Sequence, residues 1–344
     1  MRRKLTVFLS ALALCCSLTA CNKEQTEKDY NIHVICKSQD AYWNSVQTAC
    51  TDAEKEMPIQ VIYTAPETED AEKQKELIQN AINDHADAII FAPVVAEGYD
   101  DVLDKATESG IPLFTIDSET DYADVKSCLK TDNYTAGYLA GTEADKIIKN
   151  GDTIGIIAHS LDKENITAQE RLTGFTDCLH GIEMDNPLMK KTEQETETEE
   201  KSENYTKNEL IIRDGKGDIQ TSEHIAEKMI KENPNLKVLY GTNQPSTMGI
   251  CYAVDALVKS GEIEADTIQV IGFDFFSGAE QYIESGVLDG CVIQNPYNMG
   301  YLGIKYAVNL LQGDTIPSSL DTGSVLVTEK NLYDTDVQFI INPA

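Results

Sequence analysis

The sequence predicts an α/β fold of two doubly wound, Rossmann-like lobes, each built on a parallel sheet. Three observations support this prediction. The 344 residues are enough for two domains of ordinary size. Short β-rich runs alternate with amphipathic helical stretches along most of the chain, which is typical of a parallel sheet flanked by helices. The hydrophobic share of 41% is enough to build cores and excludes global disorder.

The N-terminus has the pattern of an export signal. Basic residues at 2–4 precede an uncharged apolar run over 5–18, which is too short to span a bilayer as a helix. Leu-Thr-Ala-Cys at 18–21 resembles a bacterial lipobox, in which the cysteine becomes the lipidated first residue of the mature chain. We expect a lipoprotein signal peptide over 1–20 and a lipid anchor on Cys21, which would hold the protein on the extracytoplasmic face of the cell membrane. An ordinary signal peptide with a chance cysteine is the alternative.

A polar tether over 21–29 leads into ten runs with the composition of strands. They lie at 32–36, 60–64, 88–91, 113–116, 127–129, 153–158, 209–213, 238–240, 269–272 and 290–294. Amphipathic helices are predicted over 71–84 and 222–232, where apolar residues recur on one face. A further helix is expected over 295–313 and a last strand over 337–341.

One segment breaks the alternation of strands and helices. Residues 183–209 lack apolar periodicity and are dominated by Glu, Thr and Lys. We interpret them as a solvated acidic insertion in the second lobe. Docking of a partner protein on this insertion is the alternative.

The charge balance excludes several functions. The chain has 28 Lys+Arg against 58 Asp+Glu and a formal net charge of -30. Nucleic-acid binding as the main role is excluded, because it needs a basic face. Unaided adhesion to an anionic bilayer is also disfavoured, so acyl chains would be needed for attachment. A neutral or cationic ligand is indicated.

Six cysteines remain once those at 15, 16 and 21 are set aside: Cys36, Cys50, Cys128, Cys178, Cys251 and Cys291. Disulfides are possible in an exported chain. Several of the six lie in apolar strand or helix contexts, which favours buried thiols. No CxxC pair and no adjacent histidine supplies zinc-ligand spacing, so no metal site is expected.

Polar or aromatic side chains follow most of the predicted strands. In open α/β sheets ligands bind beyond the carboxyl ends of the strands. Asp accepts from hydroxyls, Asn and Gln both donate and accept, and Arg offers a planar donor fork, so these residues suit a neutral polyol. Residues of this kind after the predicted strands include Asp40, Tyr42, Trp43, Asp117, Arg171, Asn243, Asp274 and Gln294.

Each prominent candidate has a structural alternative. The only tryptophan, Trp43, could stack on a pyranose ring or could be a core anchor. Asp117 and Asp274 could bind ligand or could cap the helices that follow them. Arg171 could contact ligand or could pair with a surface glutamate.

An enzyme is not expected. Asp117 and Asp274 could form a glycosidase-like carboxylate pair, but they would come from different lobes, without a second acid/base set. The sequence has no GxSxG elbow, no GxxxxGK[ST] loop and no HExxH motif. The five histidines are dispersed along the chain. Only His159 directly follows a predicted strand, so it is the one histidine that could lie near a ligand. No cofactor is expected.

Seven stretches together resemble family signatures in their order along the chain. They are Tyr42-Trp43, GIPLFTIDSE at 110–119, TDNYTAGYLAG at 131–141, RLTGF at 171–175, VIGFD at 270–274, QNPYNMGYLGIKYAV at 294–308 and DTGSVLVTEKNL at 321–332. Over about 30–344 the chain resembles the galactose/ribose-type (type I) periplasmic binding proteins, the extracytoplasmic receptors of sugar ABC transporters.

The resemblance implies two lobes joined by a three-segment hinge, with a sugar enclosed between them. The crossings would fall near 132–134, 294–296 and 322–325. The N-terminal lobe would comprise 30–133 and 295–323. The C-terminal lobe would comprise 134–294, with the insertion, and 324–344.

The resemblance also implies roles for the candidates. Tyr42 and Trp43 would stack on the sugar ring, and Asp40 would be a further contact. Hydrogen bonds to hydroxyls would come from Asp117, Arg171, Asn243, Asp274 and Gln294.

Departures from the family pattern leave the sugar undetermined. Many members have Arg where Ser118 stands, and many have Asp where Gln244 stands. No DxDxDG-type loop is present, so the calcium site of some relatives is not expected. An export signal stands where the related repressors have a helix-turn-helix, which excludes a repressor.

We therefore expect a monomeric, lipid-tethered receptor that captures a monosaccharide or related polyol by hinge closure and delivers it to an ABC permease. The alternative is a sensory lipoprotein that presents its ligand to a histidine kinase or chemoreceptor. The acidic insertion is the feature that would support the alternative.

Overall fold

The structure, a computed structural model, describes residues 29–184 and 208–342. The predicted signal peptide, Cys21, nearly all of the tether and nearly all of the acidic insertion lie outside these residues. Within the two described ranges, no helix is long and apolar enough to cross a membrane.

Strands and helices alternate through the first described range. Its elements are β1 (Tyr30–Ile35), a 3-10 turn (Ala41–Trp43), α1 (Asn44–Glu56), β2 (Ile59–Thr64), α2 (Ala71–Asn83), β3 (Ala88–Phe91), α3 (Asp100–Glu108), β4 (Leu113–Ile116), β5 (Val125–Lys130), α4 (Asn133–Asp145), β6 (Thr153–Ala158) and α5 (Ile166–Leu179).

The second described range continues the alternation. Its elements are β7 (Glu209–Asp214), α6 (Ile219–Glu232), β8 (Leu236–Gly241), α7 (Gln244–Ser260), β9 (Gln269–Phe273), α8 (Ala279–Glu284), β10 (Gly290–Gln294), α9 (Pro296–Leu311), β11 (Ser319–Asp321), β12 (Ser324–Val327) and α10 (Thr335–Ile341). All ten predicted strands are present, each within two residues of the expected bounds at both ends.

The strands form two six-stranded sheets of the same plan. The first has the order β11-β5-β4-β3-β1-β2 and the second β12-β10-β9-β8-β6-β7. Every described pairing is parallel except that of β10 with β12. The two doubly wound sheets confirm the predicted α/β fold, and in such sheets ligands bind beyond the carboxyl ends of the strands.

The prediction of a last strand over 337–341 is wrong, because these residues form α10. Val337 is buried, and Ile340 and Ile341 pack against the same core, whereas Phe339 is largely exposed. Apolar contacts at 337, 340 and 341 follow helical spacing, and Asp334 precedes the helix in extended conformation. The apolar composition of this run suggested a strand, but the spacing of its buried residues is that of a helix.

Two short strands that the sequence analysis did not predict show where the chain passes between the lobes. β11 pairs with β5 in the first sheet, and β12 pairs with β10 in the second. The chain therefore changes sheets at residues 322–323. The backbone amide of Thr322 donates to the Lys130 carbonyl, 3.0 Å away, and so ties this passage to the one that follows β5.

Both sheets are covered by helices on their two faces. Helices α1 and α9 cover one face of the first sheet, and α2 and α3 cover the other. In the second sheet α4 and α5 cover one face, and α6, α7, α8 and α10 cover the other. All six cysteines of the described residues are buried, and none is in a disulfide, as favoured from the sequence.

Glycines allow α4 and α5 to pack in close backbone contact. A Cβ atom at Gly137 would lie 2.2 Å from the Arg171 carbonyl oxygen, and one at Gly174 would lie 2.0 Å from the Tyr134 carbonyl oxygen. Neither position can hold a larger residue without separating the helices. This close packing brings Arg171 on α5 next to the first turn of α4.

Candidate functional site

Asp117 is the centre of a group of polar side chains at the carboxyl ends of the strands of the first sheet. We call this group, which includes Lys37 and Tyr42, the first-lobe wall. Asp117 follows β4 directly and has a left-handed backbone with φ 65°, which aspartate tolerates better than most residues. Its Oδ2 lies 2.7 Å from Lys37 Nζ, and its Oδ1 accepts a hydrogen bond of 3.0 Å from the Tyr42 hydroxyl. The Ser118 hydroxyl also donates to Oδ2 at 3.0 Å.

Asp117 is held in its ionised form. Burial by itself would raise the pKa of this carboxyl, but the charge of Lys37 and hydrogen bonds to the carboxylate outweigh burial and lower the pKa. The side chains of Asp117 and Lys37 are only 15% and 16% exposed. The first wall therefore presents an acceptor whose charge is already balanced.

Asp274 is the centre of the corresponding group at the second sheet. We call this group, which includes Arg171 and Gln294, the second-lobe wall. Asp274 follows β9 directly, with φ 66°. Gln294, the last residue of β10, donates from Nε2 to Asp274 Oδ1 at 2.7 Å. Arg171 Nη1 lies 3.4 Å from Asp274 Oδ2 and balances its charge.

Arg171 is held from several sides. It is 6% exposed. Its Nε donates to Asn133 Oδ1 at 2.9 Å, and its Nη1 donates to the Thr242 carbonyl at 3.0 Å. Its guanidinium carbon lies 3.7 Å from the centre of the Phe273 ring, a cation–π contact. Arg171 is thus a fixed buried donor, and not a surface partner of a glutamate.

Asn243 caps α7 with its side chain. Its Oδ1 accepts from the backbone amide of Ser246 at 3.1 Å. Its Nδ2 lies 2.6 Å from His159 Nδ1. Asn243 is 7% exposed and follows β8 after only one intervening residue.

The two walls face each other. Tyr42 stands on the first lobe, and burial raises its pKa. The negative charges of Asp117 and Asp274 raise that pKa further, while the positive charge of Arg171 lowers it. Since Asp274 and Arg171 belong to the second lobe, the Tyr42 hydroxyl lies within electrostatic range of both walls.

Trp43 and Asp40 complete the set of candidates on the first lobe. Trp43 is 4% exposed, belongs to the first-lobe core and meets the Tyr42 ring edge-on at 4.9 Å between ring centres. Asp40 is exposed, and its Oδ2 accepts from the Ser38 hydroxyl at 2.6 Å. Trp43 therefore acts as a core anchor, whatever further contact it makes with a ligand.

Lys37 was not predicted as a site residue. Lys37 follows β1 after one residue, so its position after a strand was the available signal. Its ion pair with Asp117 joins residues 80 positions apart, and the sequence alone did not indicate that pairing. Asn133 and Phe273, which hold Arg171, were missed for the same reason.

The arrangement is built for hydrogen bonding. The first wall carries Lys37 and Asp117, and the second carries Arg171 and Asp274, so each wall combines one cation with one carboxylate. Such walls offer donors and acceptors to hydroxyl groups without an excess of either charge. Among the residues at 29–184 and 208–342, no group of three or more His, Cys, Asp or Glu could hold a metal ion.

Comparisons with known proteins give matches over most of the chain. Residues 32–315 match a family model described as periplasmic binding protein domain. The D-allose-binding periplasmic protein of Escherichia coli strain K12 is 23% identical over 303 residues, which cover 84% of this chain and 88% of that protein. The D-apiose import binding protein of Actinobacillus succinogenes is 28% identical over 310 residues, which cover 88% of this chain and 86% of that protein.

Solved structures show the same fold. A carbohydrate transporter solute binding protein from Agrobacterium radiobacter, in complex with D-arabinose, is 27% identical, with a TM-score of 0.69 and coverage of 91% of this chain and 99% of that one. A sugar-binding protein of a sugar ABC transporter from Bacillus halodurans is 23% identical, with a TM-score of 0.73 and coverage of 88% of this chain and 98% of that one.

Proposed function

Because the chain belongs to the periplasmic binding protein domain family, we propose that it is a solute-binding lipoprotein that captures a monosaccharide or related polyol and delivers it to a membrane ABC permease. The family comprises extracytoplasmic sugar-binding proteins of ABC transport and is not enzymatic. The identity of the sugar, the lipid anchor and the delivery step are all proposed for this chain.

The main support for the proposal is that the first-lobe wall and the second-lobe wall face each other. Asp117 and Asp274 end corresponding strands of the two lobes, and each is balanced by a cation of its own lobe. Carboxylate, amide and guanidinium groups then meet a ligand from two sides. A neutral polyol can exchange hydrogen bonds with all of them without leaving an unpaired charge buried.

Capture would proceed by hinge closure. The N-terminal lobe is assigned to 30–133 and 295–323, and the C-terminal lobe to 134–294 and 324–344. Contacts from both walls are complete only when the lobes close, so a ligand favours the closed form by the contacts it gains there. Asp40, Tyr42 and Trp43 would act from the first lobe together with Asp117. Arg171, Asn243, Asp274 and Gln294 would act from the second.

Attachment to the membrane is supported by the N-terminal sequence. The lipobox-like Leu-Thr-Ala-Cys at 18–21 would place acyl chains on Cys21. The net charge of -30 gives the protein no attraction of its own to an anionic bilayer. A lipid anchor would keep the monomeric receptor beside its permease.

The sensory alternative is not favoured. Relatives of this chain include ribose import binding proteins, for example that of Bacillus subtilis strain 168, which is 23% identical over 325 residues. The acidic insertion, which would have supported a sensory partner, lies almost entirely outside the described residues.

Thermal melting of the mature chain, residues 21–344, would test the proposed function. The panel should contain D-ribose, D-allose, D-apiose, D-xylose and L-arabinose. A sugar present at a hundredfold excess over its dissociation constant stabilises the folded chain by about 2.7 kcal/mol. A rise in melting temperature with one narrow group of sugars is expected. No rise with any sugar of the panel would contradict the proposal.

A further inference from the structure

His159 stands at the carboxyl end of β6, in the wall of the second lobe. Its backbone amide donates to the Thr242 hydroxyl at 2.8 Å. A Cβ atom at Gly217 would lie 3.1 Å from His159 Cε1, so the glycine leaves room for the ring. The imidazole is thus held in place beside Asn243.

The hydrogen bonds of Asn243 determine the tautomer of His159. A backbone amide can only donate, so the 3.1 Å bond from Ser246 N identifies Asn243 Oδ1 as an acceptor. The group facing His159 Nδ1 at 2.6 Å is then the Asn243 amide nitrogen, which donates. Nδ1 must accept this bond, which requires a neutral imidazole with its proton on Nε2.

We propose that His159 is a positioning residue of the ligand site: as a neutral acceptor it orients the Asn243 amide, and its protonation weakens ligand binding. The inference rests on the proposed function and adds a pH dependence to the same site. A protonated imidazole has donors on both nitrogens, so it would face the Asn243 amide donor-to-donor and turn that amide away.

Charged groups from four elements surround His159. Arg171 lies on α5, Asp274 follows β9, Asp214 ends β7, and Glu69 precedes α2 on the first lobe. Burial is the largest influence and lowers the pKa of His159, and the positive charge of Arg171 lowers it further. The three carboxylates oppose this effect without reversing it. The surroundings of His159 therefore favour the neutral ring that Asn243 needs.

The sign of the pH dependence follows from closure. The open form would expose His159 to more water and so return its pKa toward the ordinary value of about 6.5. Below that pH the open form gains a proton that must be released on closure. Affinity for ligand should then decrease as pH decreases, by about tenfold from pH 7.5 to pH 5.5. Up to one proton should be released for each sugar bound at pH 5.5.

Calorimetric titration of the mature chain with D-ribose and D-allose, in buffers of different ionisation enthalpy, tests this directly. His159→Gln supplies an acceptor that does not titrate, so it should keep the affinity at pH 7.5 within about threefold and lose both the pH dependence and the proton release. His159→Leu removes the acceptor and should weaken binding about tenfold at pH 7.5. His180→Gln, at the exposed end of α5, should behave as wild type.

A pH profile for His159→Gln that equals that of wild type would overturn the proposal. Nitrogen-15 NMR of the histidine rings gives a second readout without sugar, because His159 and Asn243 stand on the same lobe. Nδ1 without a proton at pH 7.5 is expected, and a proton on Nδ1 would contradict the inference. Failure of wild type to bind any sugar would count against the proposed function, while the NMR result would still decide the role of His159.

Discussion

Asp117 and Asp274 occupy equivalent positions in the two lobes. Each is the first residue after a strand, with φ 65° and 66°. Each donates its backbone amide to a carbonyl of the next strand, Leu129 at 2.9 Å and Val292 at 2.8 Å. A left-handed backbone at a residue other than glycine costs on the order of 1 kcal/mol. This unfavourable backbone energy is present at both of the carboxylates on which the proposed ligand site depends.

Asp117→Asn and Asp274→Asn should each weaken sugar binding at least about tenfold. Asparagine tolerates the left-handed backbone, so the fold is kept while a charged acceptor and its ion pair are lost. Calorimetric titration with the sugar identified by melting would measure the loss. Asp266→Asn is the matched control, since Asp266 also has a positive φ (62°) but is exposed and outside the site. Unchanged affinity in both site variants would remove these carboxylates from the site.

Lys37→Met should destabilise the chain by about 2 kcal/mol at pH 7, because it leaves Asp117 as an unpaired and largely buried carboxylate. The pKa of Asp117 lies below its ordinary value in the wild type. The pair is therefore fully stabilising at pH 5 and above, and this stabilisation is lost only as pH falls below about 4. Urea unfolding at pH 7 and at pH 3 would show the difference between variants shrinking in acid.

The control for Lys37 is Lys126→Met. Lys126 pairs with Asp124 on the surface, with side chains 38% and 56% exposed. Such a pair contributes about 0.5 kcal/mol or less. Equal effects of the two substitutions would mean that the Lys37–Asp117 pair contributes no more than a surface pair.

Trp43→Ala should reduce the free energy of unfolding by about 3–5 kcal/mol, because the ring fills the first-lobe core at 4% exposure. Loss of binding in this variant would not by itself demonstrate stacking on sugar. The fluorescence of Trp43, the only tryptophan, separates the two roles. A ligand that touches the ring should shift its emission, and unchanged emission at saturation would leave Trp43 as a core anchor alone.

Asp289→Asn should stabilise the protein. Burial raises the pKa of Asp289 to about 6, against the bond that its carboxylate accepts from the Val270 amide. Above pH 6 its ionisation lowers the free energy of unfolding, and this loss is relieved as pH falls toward 4. Asparagine keeps the acceptor for Val270, so a gain of about 1–2 kcal/mol is expected at pH 7.5. Melting curves at pH 7.5 and pH 4 would check this, and a gain of equal size at both would contradict it.

Continuous apolar runs, which are buried on both faces of a parallel sheet, made most of the fold predictable. The strands at 88–91, 113–116, 153–158 and 290–294 have the expected bounds. β11 and β12 escaped prediction because they are short edge strands of three and four residues, mostly without full burial. The run at 337–341 was mistaken for a strand because its apolar residues are too few to establish their spacing before their packing is known.

The order of residues along the chain was enough to predict where polar side chains follow strands, and so which residues could face a ligand. The partners of these side chains became known only from the folded chain. Lys37 meets Asp117 across 80 positions, and Arg171 meets Asp274 across 103. The tautomer of His159 likewise depends on Asn243, which lies 84 positions away along the chain. Composition and order along the chain report burial and local geometry, whereas the charge state and orientation of a buried polar group are set by neighbours that only folding brings near.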